Sequence, residues 1–592
     1  MRTPRLNSLL FTLYTLFSIV VFVAALVSPP VARIAPAPLR DWIGSGVAAV
    51  AGSFRIPNIF AGKVAVAVSS SNTKEDWMNA VAAQFNAEEH TLPSGQIIEV
   101  TVLHVTSGGS QKSILDGNST PTVWSPGDQS WVDGANTVWM DRNSKPLVSE
   151  DCPPTVLAPI GFALWRPMAE ALGWPNKPIS WDDIAALSAN PQGWASVGYP
   201  EWGQFKFGHT HPDYSNVGLL MMTALAYSIE GKTSGLTADQ VYAQEVVEAF
   251  ASVEQNTYHY GIQNRPLMQV LARRGPDYLH GVTTSEAEAL KTNAEFAATL
   301  RFPLAFVFPS EGTFWSEQPY CILDGDWVTP EQRQAAEIFR DYLLAPPQQA
   351  IAIDNYLRPI DESIPLHAPI ALEDGADPRV NRSSVPSLES PSAEVAEAVQ
   401  DVFHQTKKKA TILLVLDTSG SMEGDKIKNA VESSVNFVSR LDPNDEIYVI
   451  GFESTVYDLG GGRAGDVGES LVQAFNGVFA SGSTALYDAM CAAAEKANQL
   501  QADHEANGER RLYGIVLLSD GEDTASARTE NQMFDCLPSG EDVEGVKVFT
   551  IAYGESANTD LMLRIANRTN GKSFAGDPAS IESIYNSISA EQ

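Results

Sequence analysis

Four cysteines in 592 residues are too few to staple the fold together, and none has the spacing of a thiolate metal site. Basic residues are scarce too: 39 Lys and Arg stand against 72 Asp and Glu, a formal net charge of −33. Nothing would offset phosphate repulsion, which excludes a general nucleic-acid binder. That charge suits a self-repelling protein outside the cell. Nine histidines occur, but no nucleophile, base and orienter stand together, so the chain does not read as an enzyme. Internal repeats and long low-complexity tracts are also missing. Hydrophobic content of 44% is ordinary, and the length calls for two to four domains.

The N-terminus places Arg2 and Arg5 before an uncharged apolar run at residues 9–27, followed by Pro29 and Pro30. At about 1.5 Å per residue this run nearly matches a hydrocarbon core. The arginines then leave the short N-terminus in the cytoplasm and the bulk of the chain outside, as a single-pass protein of the cell membrane. A cleaved signal peptide is the rival, although its apolar region is usually shorter. Ala35-Pro36-Ala37 runs into Pro38, so no clean cleavage site follows, and no cysteine is present for a lipid anchor. Residues 1–28 are expected as a transmembrane anchor and 29–60 as a Pro-, Ala- and Gly-rich tether.

The most specific chemistry lies in the last third. An apolar run, residues 411–416, has the character of a strand buried on both faces and ends in Asp417-Thr418-Ser419-Gly420-Ser421. Helical spacing follows at Ile427, Val431, Val435, Val438 and Leu441. One carboxylate and two hydroxyls thus leave the C-terminal end of a strand, where open α/β sheets build their sites. Hard oxygens with few formal charges suit Mg²⁺. Thr484 opens a helix downstream, and Asp520 ends a second apolar strand at 512–519. The loop after Leu416 lacks the Gly-Lys-Ser/Thr of a phosphate-binding loop, and Ser419 stands where a phosphotransferase would carry a second aspartate.

Asp417-x-Ser419-x-Ser421, Thr484 and Asp520 together resemble the metal-ion-dependent adhesion site (MIDAS) of a von Willebrand factor A (VWA) domain, here residues 409–592. The resemblance implies Mg²⁺ (or Mn²⁺ or Ca²⁺) held by these five residues, with Asp417 and Asp520 working partly through water. A protein partner would supply an Asp or Glu carboxylate to the open position. It also implies a Rossmann-like, mostly parallel sheet with helices on both faces, and an edge strand at 454–459.

Upstream, three strand ends deliver hydroxyls to helix starts, at Ser69-Ser70-Ser71, Thr106-Ser107-Gly108-Gly109-Ser110 and Ser125-Pro126. The order of residues 61–364 resembles a bacterial extracellular solute-binding protein of the two-lobed periplasmic (type 2) class. The stretches that carry this are Gly275-Pro276-Asp277-Tyr278-Leu279, Thr283-Thr284-Ser285-Glu286 and Phe308-Pro309-Ser310-Glu311-Gly312-Thr313, with Gln348 and Arg358-Pro359. The resemblance implies a solute between lobes, touched by Ser70, Ser107, Ser110, Ser215, Thr284 and Glu311. Two crossing strands, near 156–165 and 318–323, would form the hinge and bring Cys152 close to Cys321. His209-Thr210-His211 reads as a loop pair without a third metal ligand. Trp124, Trp131, Trp165, Trp202, Phe314 and Trp315 read mostly as core, with stacking on a sugar or peptide as the alternative.

Residues 365–408 read as a Pro-, Ser- and acid-rich linker with a short connecting helix and a solvated basic lead-in, Lys407-Lys408-Lys409. The whole is an α/β chain: a two-lobed domain, a VWA domain and an N-terminal helix. Its expected function is membrane-anchored binding outside the cytoplasm, of a protein through the metal and of a solute or partner between the lobes. The alternative is a solute-capture subunit of an ABC-type transporter with VWA as an accessory module.

Overall fold

The computed structural model describes residues 62–520, 522–538, 545–554, 557–569 and 571–576. The anchor expected at 9–27 and the tether at 29–60 lie outside the described residues. Among the described residues no helix is long and apolar enough to cross a membrane.

Strands β1 (Lys63–Ser70), β2 (Ile97–His104) and β3 (Val123–Ser125) build the first lobe, completed by a returning strand β10 (Cys321–Ile322) in the order β10-β3-β1-β2. Val64, Val66 and Val68 alternate inward along β1 and pack on Trp77, Val81 and Phe85 of the helix Glu75–Ala87. The second lobe holds β5 (Ile160–Trp165), β6 (Phe207–Thr210), β7 (Thr257–Gly261), β8 (Gly281–Ser285) and β9 (Leu304–Val307), ordered β7-β6-β8-β5-β9. β5, β6 and β8 are buried residue by residue, as strands covered on both faces must be.

Between the lobes, β4 (Val156–Leu157) pairs antiparallel with β11 (Arg358–Pro359). The chain therefore crosses three times, once more than the sequence suggested: before β5, before β10 and through β11. Cys152 and Cys321 are disulfide-bonded with their Cα atoms 4.7 Å apart, and Cys491 pairs with Cys536. The lobes meet closely. Trp131 Nε1 donates to Asn216 Oδ1 at 2.9 Å, and Lys291 pairs with Asp76. A Cβ at Gly108 would sit 2.4 Å from the Asp213 carbonyl oxygen, so only glycine fits that approach.

Lys74 sits at the hinge, 0% exposed. Its ammonium donates to Ser71 Oγ at 2.8 Å, the Ser125 carbonyl at 2.8 Å and Gln318 Oε1 at 2.9 Å, with no carboxylate among these partners. Burial holds its pKa well below the ordinary lysine range. These contacts tie the start of the first helix to the end of β3 and to the strand returning from the second lobe.

In the C-terminal domain β12 (Ala410–Asp417) lies between β13 (Glu446–Phe452) and β15 (Leu512–Ser519). The sheet is completed by β14 (Val456–Arg463), β16 (Lys547–Tyr553) and β17 (Ser573–Gly576), in the order β14-β13-β12-β15-β16-β17. All neighbours are parallel except the edge strand β14, antiparallel to β13. Apolar clusters cover both faces.

Three local expectations are corrected. The segment read as a linker lies against the second lobe: Ile370, Ala376, Val385 and Leu388 are buried, and Phe306 N donates to the Gly375 carbonyl. Proline here sets an extended path across a surface rather than a free spacer. Lys408 is not solvated; it is buried, with Nζ donating to the Thr257 carbonyl at 2.9 Å. His209 is no loop residue but a buried one in β6, 3.0 Å from Glu254, which also accepts from Tyr260 OH at 2.5 Å. As for the aromatic set, Trp124, Trp131, Trp165, Phe314 and Trp315 are core, and Trp202 stacks on Tyr199.

Lys74→Ala should cost about 2–4 kcal/mol, combining a cavity with acceptors left short of a donor; a lower urea midpoint with both disulfides intact is the expected result. Acid should also destabilise the second lobe. Burial holds His211 and His280 down to about 3, and His280 Nδ1 accepts from Trp194 Nε1 and from Lys206 N, both at 3.0 Å. The unfolded chain therefore takes up protons first as pH falls. Stability is full above about pH 6.5 and drains toward pH 3, by about 1.4 kcal/mol per pH unit for each such group. Melting curves from pH 7 to 5 should show it, with a shallower decline in His280→Gln.

Candidate metal and solute sites

β12 can carry no charge along its length because both its faces are covered; its first carboxylate appears at its last residue, Asp417. The parallel register sets Leu416 against Leu518 of β15, so Asp417 emerges beside Ser519. Ser519 Oγ donates to Asp417 Oδ2 at 2.5 Å and Ser419 N donates to Oδ1 at 2.9 Å. A helical turn, Gly420–Met422, then brings the Ser419 and Ser421 hydroxyls to 3.0 Å of each other. Ser421 Oγ donates to Asp520 Oδ1 at 2.6 Å. Four of the five expected residues are thus brought together.

Thr484 is held in the adjoining loop by backbone ties. Gly420 N donates to the Gly482 carbonyl at 3.1 Å, and Ser481 N to the Thr418 carbonyl at 2.9 Å. The Thr484 carbonyl accepts from Thr524 N and Ala525 N, on the loop beyond Asp520. Gly482 turns the chain at φ +73°, a left-handed conformation that favours glycine.

Asp417 and Asp520 are both buried. Burial, with Asp520 nearby, raises the Asp417 carboxyl above its usual range. The sequence reading missed Lys426, on the helix Asp425–Arg440, whose ammonium pairs with Asp520 Oδ2 and reaches the Ser421 carbonyl at 3.4 Å. Two carboxylates and neighbouring hydroxyls form an oxygen-only set of low charge, the donor chemistry that a small hard cation takes while keeping waters. Among the described residues no group of three or more His, Cys, Asp or Glu could hold a metal, so softer or more acidic sites have no counterpart there.

The second site is a cleft of about 760 Å³, open mouth included, between the lobes. Helices Glu75–Ala87, Ser107–Leu115, Asn216–Glu230 and Asn264–Arg274 all start around it. Of the six residues expected to touch a solute, Ser107 and Ser215 line it. The other four do not. Ser70 Oγ donates to the Ser71 carbonyl, and Ser110 Oγ donates to the Ser107 carbonyl and accepts from Trp124 Nε1. Thr284 is buried within β8. Glu311 accepts from Trp181 N at 2.8 Å and Ser228 Oγ at 3.0 Å, bracing a helix start in the second lobe. Small hydroxyls at helix starts are good cleft candidates and equally good caps, and the sequence pattern is the same for both.

Asn72, Asn264 and Glu288 also line the cleft and were not anticipated. Glu288 lies in the first turn of the helix Glu286–Glu295, directly after β8. Its neighbour Glu286 forms a two-pronged buried pair with Arg358, at 2.5 and 2.7 Å. The available signal was an acid one turn past a strand end, in the stretch already singled out at Thr283-Thr284-Ser285.

Residues 66–358 match the family model of bacterial extracellular solute-binding proteins, and residues 411–587 that of the von Willebrand factor type A domain. An uncharacterized Synechocystis protein is 26% identical over 31% of this chain and 42% of its own. Inter-alpha-trypsin inhibitor heavy chain H4 of Bos taurus is 36% identical over 19% of this chain and 13% of its own. The chain thus spans less than half the length of these curated relatives. Among solved structures, maltose-bound MalE3 of T. maritima aligns with 58% of this chain and 95% of its own, at 12% identity and a TM-score of 0.41. Both matched families are binding modules rather than catalysts. The chain joins a bacterial extracellular solute-binding domain, residues 66–358, to a C-terminal von Willebrand factor type A domain, residues 411–587.

Proposed function

We propose that this chain is a membrane-anchored extracytoplasmic binding protein whose VWA domain grips a protein carboxylate through a divalent ion, while its lobes take up a solute. The observation that carries the first half is the convergence of Asp417, Ser419, Ser421 and Asp520 at the ends of two adjacent parallel strands. Mg²⁺ suits the set best, with Mn²⁺ or Ca²⁺ as substitutes, and Thr484 would complete it. Phe479, 73% exposed, lies on the loop that carries Thr484 and offers a partner an apolar contact beside the ion. The solute half rests on the cleft and the helix starts around it, whose exposed N–H groups can orient a polar ligand. Residues 9–27 would hold the assembly at the membrane, and the domains would span 61–364 and 409–592.

Titration calorimetry tests the metal site. Asp417→Ala should weaken Mg²⁺ binding at least about tenfold, since it removes one of only two carboxylates. Equal affinity in wild type and variant would end the assignment. Lys426 makes a second, opposite test. A divalent ion must displace its ammonium from Asp520, so Lys426→Met should strengthen Mg²⁺ binding by about threefold, the scale of a partly exposed ion pair.

Sequencing the N-terminus of purified protein examines the anchor. A mature chain retaining residues 9–27 and recovered in the membrane fraction is expected; one starting beyond residue 27 would mean cleavage.

A further inference from the structure

Arg265 also lines the interlobe cleft, but three acceptors on its walls have no donor among the described residues. Glu288 is 5% exposed, lines the cleft, and accepts no hydrogen bond to its carboxylate from any described residue. Asn72 Oδ1, from the first lobe, and Asn264 Oδ1, from the second, are fully buried and have no donor. The cations nearest Glu288 are engaged elsewhere: Lys291 pairs with Asp76, and Arg265 with Glu295 at 2.6 Å. Glu286, two residues before Glu288 on the same helix, has its full arginine partner. Buried acceptors without donors are rare because each forfeits its hydration, and a buried carboxylate without a partner is the costliest of them. Burial accordingly pushes the Glu288 carboxyl up to about 7. Glu75 lines the cleft as well, and among the described residues no aromatic ring does, so stacking on a sugar face has no platform.

We propose that the cleft selects a small polar solute bearing a protonated amine or guanidinium, with Glu288 as its counter-ion and Asn72 and Asn264 as further acceptors. The inference rests on the solute-binding reading of the cleft and adds the ligand's chemistry to it. Ammonium and guanidinium groups supply several N–H donors and the missing positive charge at once. A neutral polyol could fill the amide acceptors but would leave the carboxylate uncompensated, and an oxyanion would meet it with like charge. Asn72 and Asn264 stand in opposite lobes, so a ligand bonded to both would also hold the lobes together.

The test is calorimetry on the full chain with four probes at matched ionic strength: putrescine, L-arginine, glucose and sulfate. Binding of putrescine or L-arginine is expected, without binding of glucose or sulfate. Glu288→Gln, close to isosteric, should weaken the cationic probe at least tenfold. Asp326→Asn, an exposed acid outside the cleft, should leave it unchanged, separating a local counter-ion from the pull of the net charge. Near-ultraviolet circular dichroism checks that both variants are folded. Glucose or sulfate binding alone, or a cationic probe bound equally by Glu288→Gln, would overturn the amine assignment while the solute reading stood. No binding by any of the four would overturn both.

Discussion

A strand covered on both faces has nowhere to put a polar side chain except its end, and that constraint locates both candidate sites. β12 and β15 are apolar through their length because helices cover the sheet on each side. Asp417 and Asp520 are where the chain first escapes, and parallel register makes them neighbours. The same rule operates in the lobes, where β3, β6 and β8 are buried and their chemistry gathers in the loops that start the next helices. Burial therefore positions the function before any specific contact does.

The two sites solve opposite electrostatic problems. At the VWA site two buried acids stand close together, and a lysine from the next helix already neutralises one of them. In the cleft one buried acid has no such partner, although cations lie nearby, because each has its own carboxylate. Lys74 shows the converse at the hinge: a buried ammonium satisfied wholly by neutral oxygens. In a chain of net charge −33 a surplus acid at the surface is unremarked, but one largely buried at the helix starts of the cleft keeps its charge only at a cost.

Legibility in the sequence tracks how local each determinant is. The convergence of Asp417, Ser419, Ser421 and Asp520 was readable because they sit at strand ends, and strand ends show as apolar runs stopping at Asp417 and Ser519. The two lobes were readable as an order of elements, but not their cleft. Ser107 and Ser215 line it while the Ser70 and Ser110 hydroxyls donate to nearby backbone carbonyls, and local sequence treats all four alike. Glu288 and Lys74 owe their character to what lies far away in the chain, Asp76 and Gln318 among others, and one-dimensional pattern carries no such information. The misjudged linker fails for a related reason. Its prolines forbid regular structure, but Val385 and Leu388 are buried all the same by the lobe beneath them.

That packed segment alters how the two domains relate. Helix Ala393–Thr406 buries Val395, Val399, Val402 and Phe403 in the core of the two-lobed domain. Directly after it, Lys408 is pinned to the Thr257 carbonyl at the start of β7. Lys547 of the VWA sheet reaches His259 Nδ1 at 3.3 Å, one turn of the pleat further along the same strand. β7 then ends at Gly261, and the chain continues into Asn264 and Arg265 on the cleft wall. One five-residue strand thus meets the connecting segment at its first residue and the VWA sheet at its third, and leads toward the cleft wall at its end. A loose tether would leave the two domains without mutual contact; here one strand of the second lobe is held by side chains from the connecting segment and from the VWA sheet.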